Sequence, residues 1–335
     1  MKKYKLTDEY KKEFKYEGNR KIDFKLFRIE ALISFNDVKK GDIGGWLESE
    51  LNLSQDGLCW VYDDSIVSER AIVSDNARVL GDSTVNGFSK IYGNAIINRS
   101  NIGDTSVIFG NAEVTESSIN GESTVFDNAK INSSHITGDD RYTESYTNQK
   151  LQIYGNSQLF WVRIDGVPHI FESATIDKGV SISHSPRIYG RSVLRGQTKP
   201  DSYFSTEATL FINDDVEIFG NAVVEAQKKD IKENALFIKN SSRIYGNAHI
   251  FGSGSISGHA HIYDYAKVDG LFDLDDNCKI FGESNLSGKF KIWILDNVRI
   301  SGKTFILANK KSITLGGIKN IKNKMITRNL FFGLF

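Results

Sequence analysis

The sequence predicts an all-β protein built as a parallel β-helix, and three observations support this fold class. A five-residue motif, IYGNA at Ile91, returns in variant form, with further copies beginning at Ile108, Ile153, Ile188, Ile218, Ile244 and Ile280. Between these copies an aliphatic residue recurs every six positions, with a small residue four places after it. In the first half of the chain the step shortens to five at about every third hexad. A short internal period of this kind is typical of solenoids, in which each coil packs on its neighbours.

The hexads define the expected core. The first aliphatic positions are Val61, Val67, Val73, Val79, Val85, Ile91 and Ile97, and the small positions between them are Ser65, Ala71, Ala77, Ser83, Ser89 and Ala95. β-Branched residues favour extended backbone, so we expect each hexad to supply one short inward-facing strand and one corner. Three hexads, one of them often shortened, then form a triangular coil, which gives about 12 coils for the whole chain.

The chain is expected to have three parts. Residues 1–58 form an N-terminal cap with a β-hairpin, and its two tryptophans, Trp46 and Trp60, are available to cover the open end of the core. Residues 59–314 form the β-helix, and residues 315–335 form a C-terminal cap.

Three polar segments interrupt the hexads, at 137–150, 195–211 and 225–237. The register resumes after each of them, at Ile153, Ile212 and Ile238. We therefore expect excursions from corners of one β-helix, at which function on repeat scaffolds often lies.

Composition and missing motifs narrow the function. Lys+Arg and Asp+Glu number 42 each, for a net charge of zero, so the chain has no overall field that gathers nucleic acid or anionic membrane. The two cysteines, Cys59 and Cys278, suit a reducing compartment. No leader and no apolar run of about 18 residues is present, so a cytoplasmic protein is expected. No Cys/His cluster with zinc spacing and no phosphate-binding loop occurs, so a metal is not implied.

The hexads resemble those of the hexapeptide-repeat acyltransferase superfamily, whose pattern of aliphatic, Gly, two variable and one small residue is met at Ile102-Gly103-Asp104-Thr105-Ser106. In most hexads here the Gly falls one place later, as in Ile91-Tyr92-Gly93. The resemblance implies a left-handed parallel β-helix, a homotrimer packed through flat faces, and transfer from acetyl-CoA or another acyl-CoA.

A closer resemblance is to the YdcK-type branch, which occurs among enterobacterial and phage-associated proteins. The residues that carry it are Phe35-Asn36-Asp37-Val38, Gly44-Gly45-Trp46, Asn52-Leu53-Ser54, Cys59-Trp60-Val61-Tyr62 and Ile326-Thr327-Arg328. This likeness spans nearly the whole chain and bears on the fold more than on the function.

An aromatic residue repeatedly follows the aliphatic position on one expected face. These residues are Tyr92, Phe109, Phe126, Tyr154, Phe171, Tyr189, Tyr245, Tyr263 and Phe281. Within groups of three they recur at the spacing of one coil, which predicts vertical ladders. The ladders have three interpretations: a stack that stiffens the solenoid, a subunit interface, or a platform for a carbohydrate or other flat ligand.

Acyl transfer needs a general base, and histidine is the usual choice because its pKa is near neutral. His184 lies two places after Ile182, where the resemblance places the base of some sugar-nucleotide acyltransferases. No acidic residue follows it, and Pro186 takes the small position. His135, in a small position beside the first excursion, is the second candidate. Each histidine also has an ordinary interpretation as a corner residue.

The sequence thus supports two hypotheses. The first is a trimeric acyltransferase that uses acyl-CoA, with His184 or His135 as base, to acylate a small hydroxyl or amine. The second is a non-catalytic structural or binding solenoid, phage-associated like some members of the branch it resembles, that contacts protein or carbohydrate through its aromatic face and excursions. Binding of acetyl-CoA separates the two.

Overall fold

The chain folds into two units of parallel β-solenoid. The first contains Met1–Asp139 and Lys150–Asn156, and the second contains Asp140–Gln149 and Ser157–Phe335. The structure, a computed structural model, describes residues 2–18, 20–139, 149–197, 209–227 and 235–327. The predicted all-β class is confirmed, and the two units together make about 14 turns, close to the 12 expected. The left-handed sense stays a prediction. No helix in the described ranges is long and apolar enough to cross a membrane.

The first unit opens with an antiparallel hairpin of Tyr4–Glu17 and Arg20–Ala31. The strand Ile43–Leu47 pairs antiparallel with the second hairpin strand and parallel with the solenoid strand Ile66–Val67. A single turn of 3-10 helix follows at Glu50–Asn52. The hairpin is thereby joined to the first coil by backbone hydrogen bonds.

Aromatic residues cover the first coil. Tyr4 and Phe35 pack edge to face on Trp60, with ring centroids 6.2 and 5.5 Å from it. Trp60 is 2% exposed and Trp46 is 7% exposed. The start of the core is therefore closed by side chains that come from before the solenoid.

Three faces of short parallel strands form the solenoid of the first unit. The strands of the first face are Trp60–Val61, Arg78–Leu80, Ile96–Asn98, Glu113–Thr115 and Lys130–Asn132. The strands of the second are Ile43–Leu47, Ile66–Val67, Thr84–Val85, Asn101–Ile102, Ser118–Gly121 and His135–Gly138. The strands of the third, the aromatic face, are Ile72–Val73, Lys90–Ile91, Val107–Ile108, Ser123–Val125 and Leu151–Ile153.

The second unit has the same three faces, but several strands run through the corner between the first two. These long strands are Gln158–Gly166, Thr175–His184, His249–Ile256, Lys267–Leu274 and Asn285–Ile294. Shorter strands on the first two faces are Val193–Arg195, Leu210–Ile212, Val223–Ala226, Leu236–Ile238, Phe305–Ala308, Ile313–Leu315 and Met325–Ile326. The aromatic face of this unit consists of His169–Ile170, Arg187–Ile188, Glu217–Ile218, Arg243–Ile244, His261–Ile262, Lys279–Ile280, Asn297–Ser301 and Ile318–Lys322.

The hexad prediction of the core is confirmed. Each predicted aliphatic residue from Val61 to Ile136 is at most 1% exposed. The predicted small residues from Ser65 to Ala95 are also at most 1% exposed. Val61 pairs with Val79, and Ile97 with Val114, so each coil has the length that three hexads predict. The aliphatic side chains from Val61 to Ile136 stack above one another because the parallel strand pairs there keep one register, whereas a slip by one residue would turn them outward.

Corner residues bind the coils together through their side chains. Asp104 and Asp127 have φ of 56° and 59°, a left-handed conformation that Asp tolerates better than most residues. Their carboxylates accept hydrogen bonds from the backbone N–H groups of Gly121 and Gly155 in the next coil, at 2.8 and 3.2 Å. The aspartates at these bends therefore have a structural role.

The asparagine of the IYGNA motif forms a second inter-coil ladder. In the first unit each side-chain amide donates to the next, from Asn76 through Asn94, Asn111 and Asn128 to Asn156, over 2.9 to 3.1 Å. The second unit has the same bond from Asn221 to Asn247 at 3.0 Å. The motif recurs because its Ile fills the core, its Asn bridges coils and its Ala fits the corner.

Parallel pairing extends past both ends of the expected β-helix, 59–314. It begins with Ile43–Leu47 and is still present at Met325–Ile326. Residues 328–335 of the expected C-terminal cap lie outside the described residues.

The centres of the three predicted excursions, 140–148, 198–208 and 228–234, also lie outside the described residues. Strands resume on the far side of each, and Ile153, Ile212 and Ile238 are buried there, as the register predicts.

Candidate functional site

His184 ends the strand Thr175–His184 at a corner of the second unit. Its backbone is left-handed, with φ of 62°, and its side chain is 29% exposed. Gly166 lies beside it in the preceding coil, and a Cβ on Gly166 would come within 2.5 Å of the backbone N and O of His184. Only glycine fits there, so the preceding coil presents no side chain at this corner and the imidazole is open on that side.

Two polar groups hold the Nδ1 atom of His184. The hydroxyl of Ser183 lies 3.3 Å from Nδ1 and donates its own proton to Asn213 Oδ1 at 2.9 Å. Asp214 Oδ1 lies 3.6 Å from the same nitrogen. Because the serine proton is already used, the serine oxygen is an acceptor for an Nδ1–H group. This arrangement favours the tautomer whose Nε2 lone pair is free to accept a proton.

Asp214 is itself fixed in place. Its Oδ2 atom accepts a hydrogen bond from the backbone N–H of Asn240, in the following coil, at 2.9 Å. Its other oxygen therefore stays directed toward the histidine. Nε2 of His184 makes no hydrogen bond with any residue that the structure describes. A carboxylate 3.6 Å from one ring nitrogen and a second nitrogen without a partner resemble the arrangement of a general base, in which the carboxylate comes into hydrogen-bond distance.

Sequence reasoning missed Asp214, since no acidic residue follows His184 directly. The two residues are brought together by the coil step, which is longer here because the segment 195–211 lies within the coil. The strand register could have predicted this neighbour. His184 follows Ile182 by two places, Asp214 follows Ile212 by two places, and the two isoleucines pair in adjacent strands.

His135, the second predicted base, lies in the first unit on the strand His135–Gly138. It was expected in a small buried position, and this is wrong: Ser134 is buried there and the His135 side chain is exposed. The tighter corner shifts the register by one residue, which moves the histidine to the outer surface opposite Ser118. The two predicted bases therefore belong to different units, His135 to the first and His184 to the second.

The predicted aromatic ladder is formed in the first unit. Tyr92, Phe109, Phe126 and Tyr154 stack in this order, with ring centroids 4.8, 5.0 and 4.7 Å apart and planes within 6° of parallel. The second unit has its own ladder of Phe171, Tyr189, Phe219, Tyr245, Tyr263 and Phe281, with centroids 4.7 to 4.9 Å apart.

Phe219 is an unpredicted member of the second ladder. It follows Ile218 in a copy of the IYGNA motif, but the long coils on either side of it hide the regular step. It joins Tyr189 to Tyr245 into one stack.

The stacked geometry favours a stabilising role for the ladders. All ring residues are half-buried, and each inner ring is covered on both faces by its neighbours, so the edges point outward. Burial raises the pKa of Tyr189, Tyr245 and Tyr263, which keeps their phenols neutral. A stacked aromatic pair contributes about 0.5–1.5 kcal/mol beyond its burial. A flat ligand therefore finds no open face on the inner rings of these ladders.

The outward column one position before each ladder differs between the units. In the first unit it consists of Ile72, Lys90, Val107, Thr124 and Gln152. In the second it consists of His169, Arg187, Glu217, Arg243, His261, Lys279, Arg299 and Asn320. The column of the first unit is thus mostly neutral and partly apolar, and that of the second carries four Lys or Arg residues and one carboxylate.

Other chemistry finds little support in the described residues. Across them no three side chains of His, Cys, Asp or Glu are grouped to hold a metal ion. Cys59 and Cys278 are free and buried, and burial raises the pKa of both thiols, that of Cys278 to about 12. Neither is suited to act as a nucleophile, because the thiolate is the reactive form. His184 and Asp214 remain the best candidate for catalysis.

Comparison with known proteins supports the resemblance seen in the sequence. Over 103 residues the chain is 36% identical to a protein of Escherichia coli (strain K12) named "Uncharacterized acetyltransferase YdcK". The match covers 30% of this chain and 32% of that protein, so it spans about a third of the curated relative. No protein-family model matches the chain. The chain is therefore a parallel β-solenoid that is similar, over part of its length, to a protein named as an acetyltransferase.

Proposed function

We propose that this protein is an acyltransferase that moves an acyl group, acetyl in the simplest case, from acyl-CoA to the hydroxyl or amine of a small acceptor. The observation that carries the proposal is the His184 site, in which Ser183 contacts Nδ1, the Asp214 carboxylate lies 3.6 Å from the same nitrogen, and Nε2 has no hydrogen-bond partner among the described residues. The solenoid fold and the partial similarity to a protein named as an acetyltransferase support it.

In this proposal Nε2 of His184 accepts the proton of the acceptor hydroxyl or amine while the acceptor atom attacks the thioester carbonyl. The tetrahedral intermediate then collapses, the carbon–sulfur bond breaks, and the imidazolium returns its proton to the departing CoA sulfur. Asp214 stabilises the positive charge that the ring carries between these steps, as a carboxylate does in catalytic triads. Asp214 is thus a positioning residue, and Nε2 performs the proton transfer.

We further propose a homotrimer in the cytoplasm, with the aromatic face of the first unit as the subunit interface and the CoA site between neighbouring subunits. The outward side chains there include Ile72, which is 42% exposed, and Val107. A flat surface with few charges and exposed aliphatic groups fits the composition of an interface core.

A second candidate function is a non-catalytic solenoid that binds carbohydrate or protein, in a phage-associated setting or otherwise. The cationic column on the second aromatic face favours it, because acyl transfer does not require that column. The two functions separate on acyl-CoA, since only the enzyme responds to it.

The test uses acetyl-CoA with a panel of small sugars, amino sugars, amino acids and polyamines, and detects the released CoA thiol. His184→Asn is the informative variant, because Asn tolerates the left-handed backbone of this corner and removes the base. We expect it to retain the fold and to lose about 10²–10⁴-fold in kcat. Asp214→Asn should lose less in kcat and leave the KM for acetyl-CoA unchanged.

His249→Asn is the matched control. His249 also lies near a carboxylate, with Nε2 3.8 Å from Glu225 Oε2, but that carboxylate already binds Arg195 at 2.7 Å. We expect this variant to stay within twofold of the unaltered protein. Full activity of His184→Asn, or loss of activity in His135→Asn instead, would contradict the assignment of the base.

A further inference from the structure

The cationic column on the aromatic face of the second unit is a continuous feature of the sheet. Arg187, Glu217, Arg243, His261, Lys279 and Arg299 occupy one register position in successive parallel strands. Their side chains project from the outer surface, one coil apart. We propose that this column binds an extended acidic polysaccharide, a polyuronate, laid along it.

Positive charge is in excess along the column. Glu217 lies between two arginines, 3.5 Å from Arg187 and 3.1 Å from Arg243, and one carboxylate cannot neutralise both. Lys279 and Arg299 are two cations of the column that have no ion-pair partner in the part of the chain that the structure describes.

Acidic groups also lie at the adjoining corner, beyond the ladder and outside the column. Asp264 accepts a hydrogen bond from the N–H of Gly282 at 3.1 Å and keeps its negative charge, and Glu283 lies 3.6 Å from Lys303. The carboxylates are thus separated from the cations of the column by the row of aromatic rings.

His261 lies in the middle of the column, and the neighbouring cations affect its pKa. Its pKa is lowered first by burial and then by Lys279, Arg243 and His259, with Glu217 acting in the opposite direction. The ring is neutral at pH 7 and is available as a hydrogen-bond partner for a hydroxyl group.

The neighbouring ladder decides which polyanion fits. Bases of single-stranded nucleic acid bind by stacking on open aromatic faces, and the rings from Tyr189 to Phe281 are covered by one another. Their outward edges carry the positive end of the ring quadrupole, which attracts carboxylates.

The spacing and the flanking amides also suit a polysaccharide. Successive rungs are 4.8 to 4.9 Å apart, close to the length of one sugar in an extended chain. The amide groups of Asn221 and Asn247, at the corner beyond the ladder, form one hydrogen-bonded pair whose remaining donor and acceptor atoms suit sugar hydroxyls. The cationic column can thus meet carboxylates while this pair meets hydroxyls.

The first unit supplies an internal control. The equivalent column there carries one cation, Lys90, among Ile72, Val107, Thr124 and Gln152. A polymer that recognises the cationic column has no comparable reason to bind this surface.

The test measures binding of a fluorescent polygalacturonate oligomer to the full chain by anisotropy at several salt concentrations. The variants are the double substitution Lys279→Gln with Arg299→Gln, and the matched control Lys90→Gln. The unaltered protein should bind the oligomer at low salt. The double variant should bind at least tenfold more weakly, and its log affinity should depend less steeply on log salt, because two fewer cations displace counterions from the polymer.

Lys90→Gln should stay within twofold of the unaltered protein, and a neutral dextran should not bind. Equal affinity of the double variant and the unaltered protein, or no binding at low salt, would refute the proposal. Tighter binding of single-stranded DNA than of the uronate would also overturn it, in favour of a nucleic-acid surface. Acetyl-CoA is absent from this assay, so the result stands apart from the proposed enzyme activity.

Discussion

The aromatic ladder of the first unit gives a stability prediction that can be worked from the structure. Phe109 lies between Tyr92 and Phe126, with centroids 4.8 and 5.0 Å away and planes 6° and 1° from parallel. Phe109→Leu keeps an apolar side chain and removes both stacked contacts. At about 0.5–1.5 kcal/mol for each pair, the loss should be about 1–3 kcal/mol. Tyr92→Leu removes one stacked contact and should cost about half as much.

Urea unfolding followed by circular dichroism, at one fixed protein concentration, measures both variants. Fixed concentration matters because self-association would add its own stabilisation. The double variant completes a cycle whose coupling energy isolates the Tyr92–Phe109 contact. Equal losses at the two positions, or losses below about 0.5 kcal/mol at both, would refute the stacking argument. The ladder would then be better explained as a surface for a partner.

Three further predictions concern the second unit and the thiols. Gly254→Ala should lower the free energy of unfolding by about 4 kcal/mol or more, because the new Cβ would clash with the Phe272 carbonyl oxygen. Gly317→Ala, whose new Cβ meets nothing within 4 Å, should lower it by only about 1–2 kcal/mol. Thermal unfolding compares the two variants. Stability should fall as the pH drops below about 6.5. The pKa of His261 is lower in the folded state than in the unfolded chain, so the unfolded chain takes up the proton first. His261→Asn should flatten this part of the pH dependence. Both cysteines should resist a thiol reagent at pH 8 until urea unfolds the protein, because burial raises their pKa, that of Cys278 to about 12.

The core was predictable because one physical constraint repeats. A prism of three faces needs an inward aliphatic residue and a small corner residue in every hexad, so Val61 or Ile97 can be placed from spacing alone. The same spacing predicted the ladder through Tyr92 and Phe109, which follow inward residues directly.

The candidate site was only half predictable. His184 was found from its position after Ile182, but its carboxylate partner comes from the next coil, on the far side of the segment 195–211. Coil length is constant only where no excursion intervenes, so a fixed step of one ordinary coil cannot find Asp214 or Phe219. Aligning each residue to its nearest inward isoleucine recovers both.

The prediction that His135 occupies a small corner position failed for a related reason. Where a corner tightens by one residue, sequence spacing leaves open which neighbour turns inward, and here the smaller Ser134 does so. Charge asymmetry between the units was also hidden, because a net charge of zero for the chain conceals a local row of cations.

Calorimetric titration of the full chain with acetyl-CoA is the sharpest test of acyl transfer, because it needs no knowledge of the acceptor. We expect micromolar binding to the unaltered protein and equal binding to His184→Asn, since the base acts on the acceptor and leaves the donor site intact. The absence of any heat of binding up to millimolar acetyl-CoA would contradict the acyltransferase proposal and leave the binding solenoid as the function to pursue.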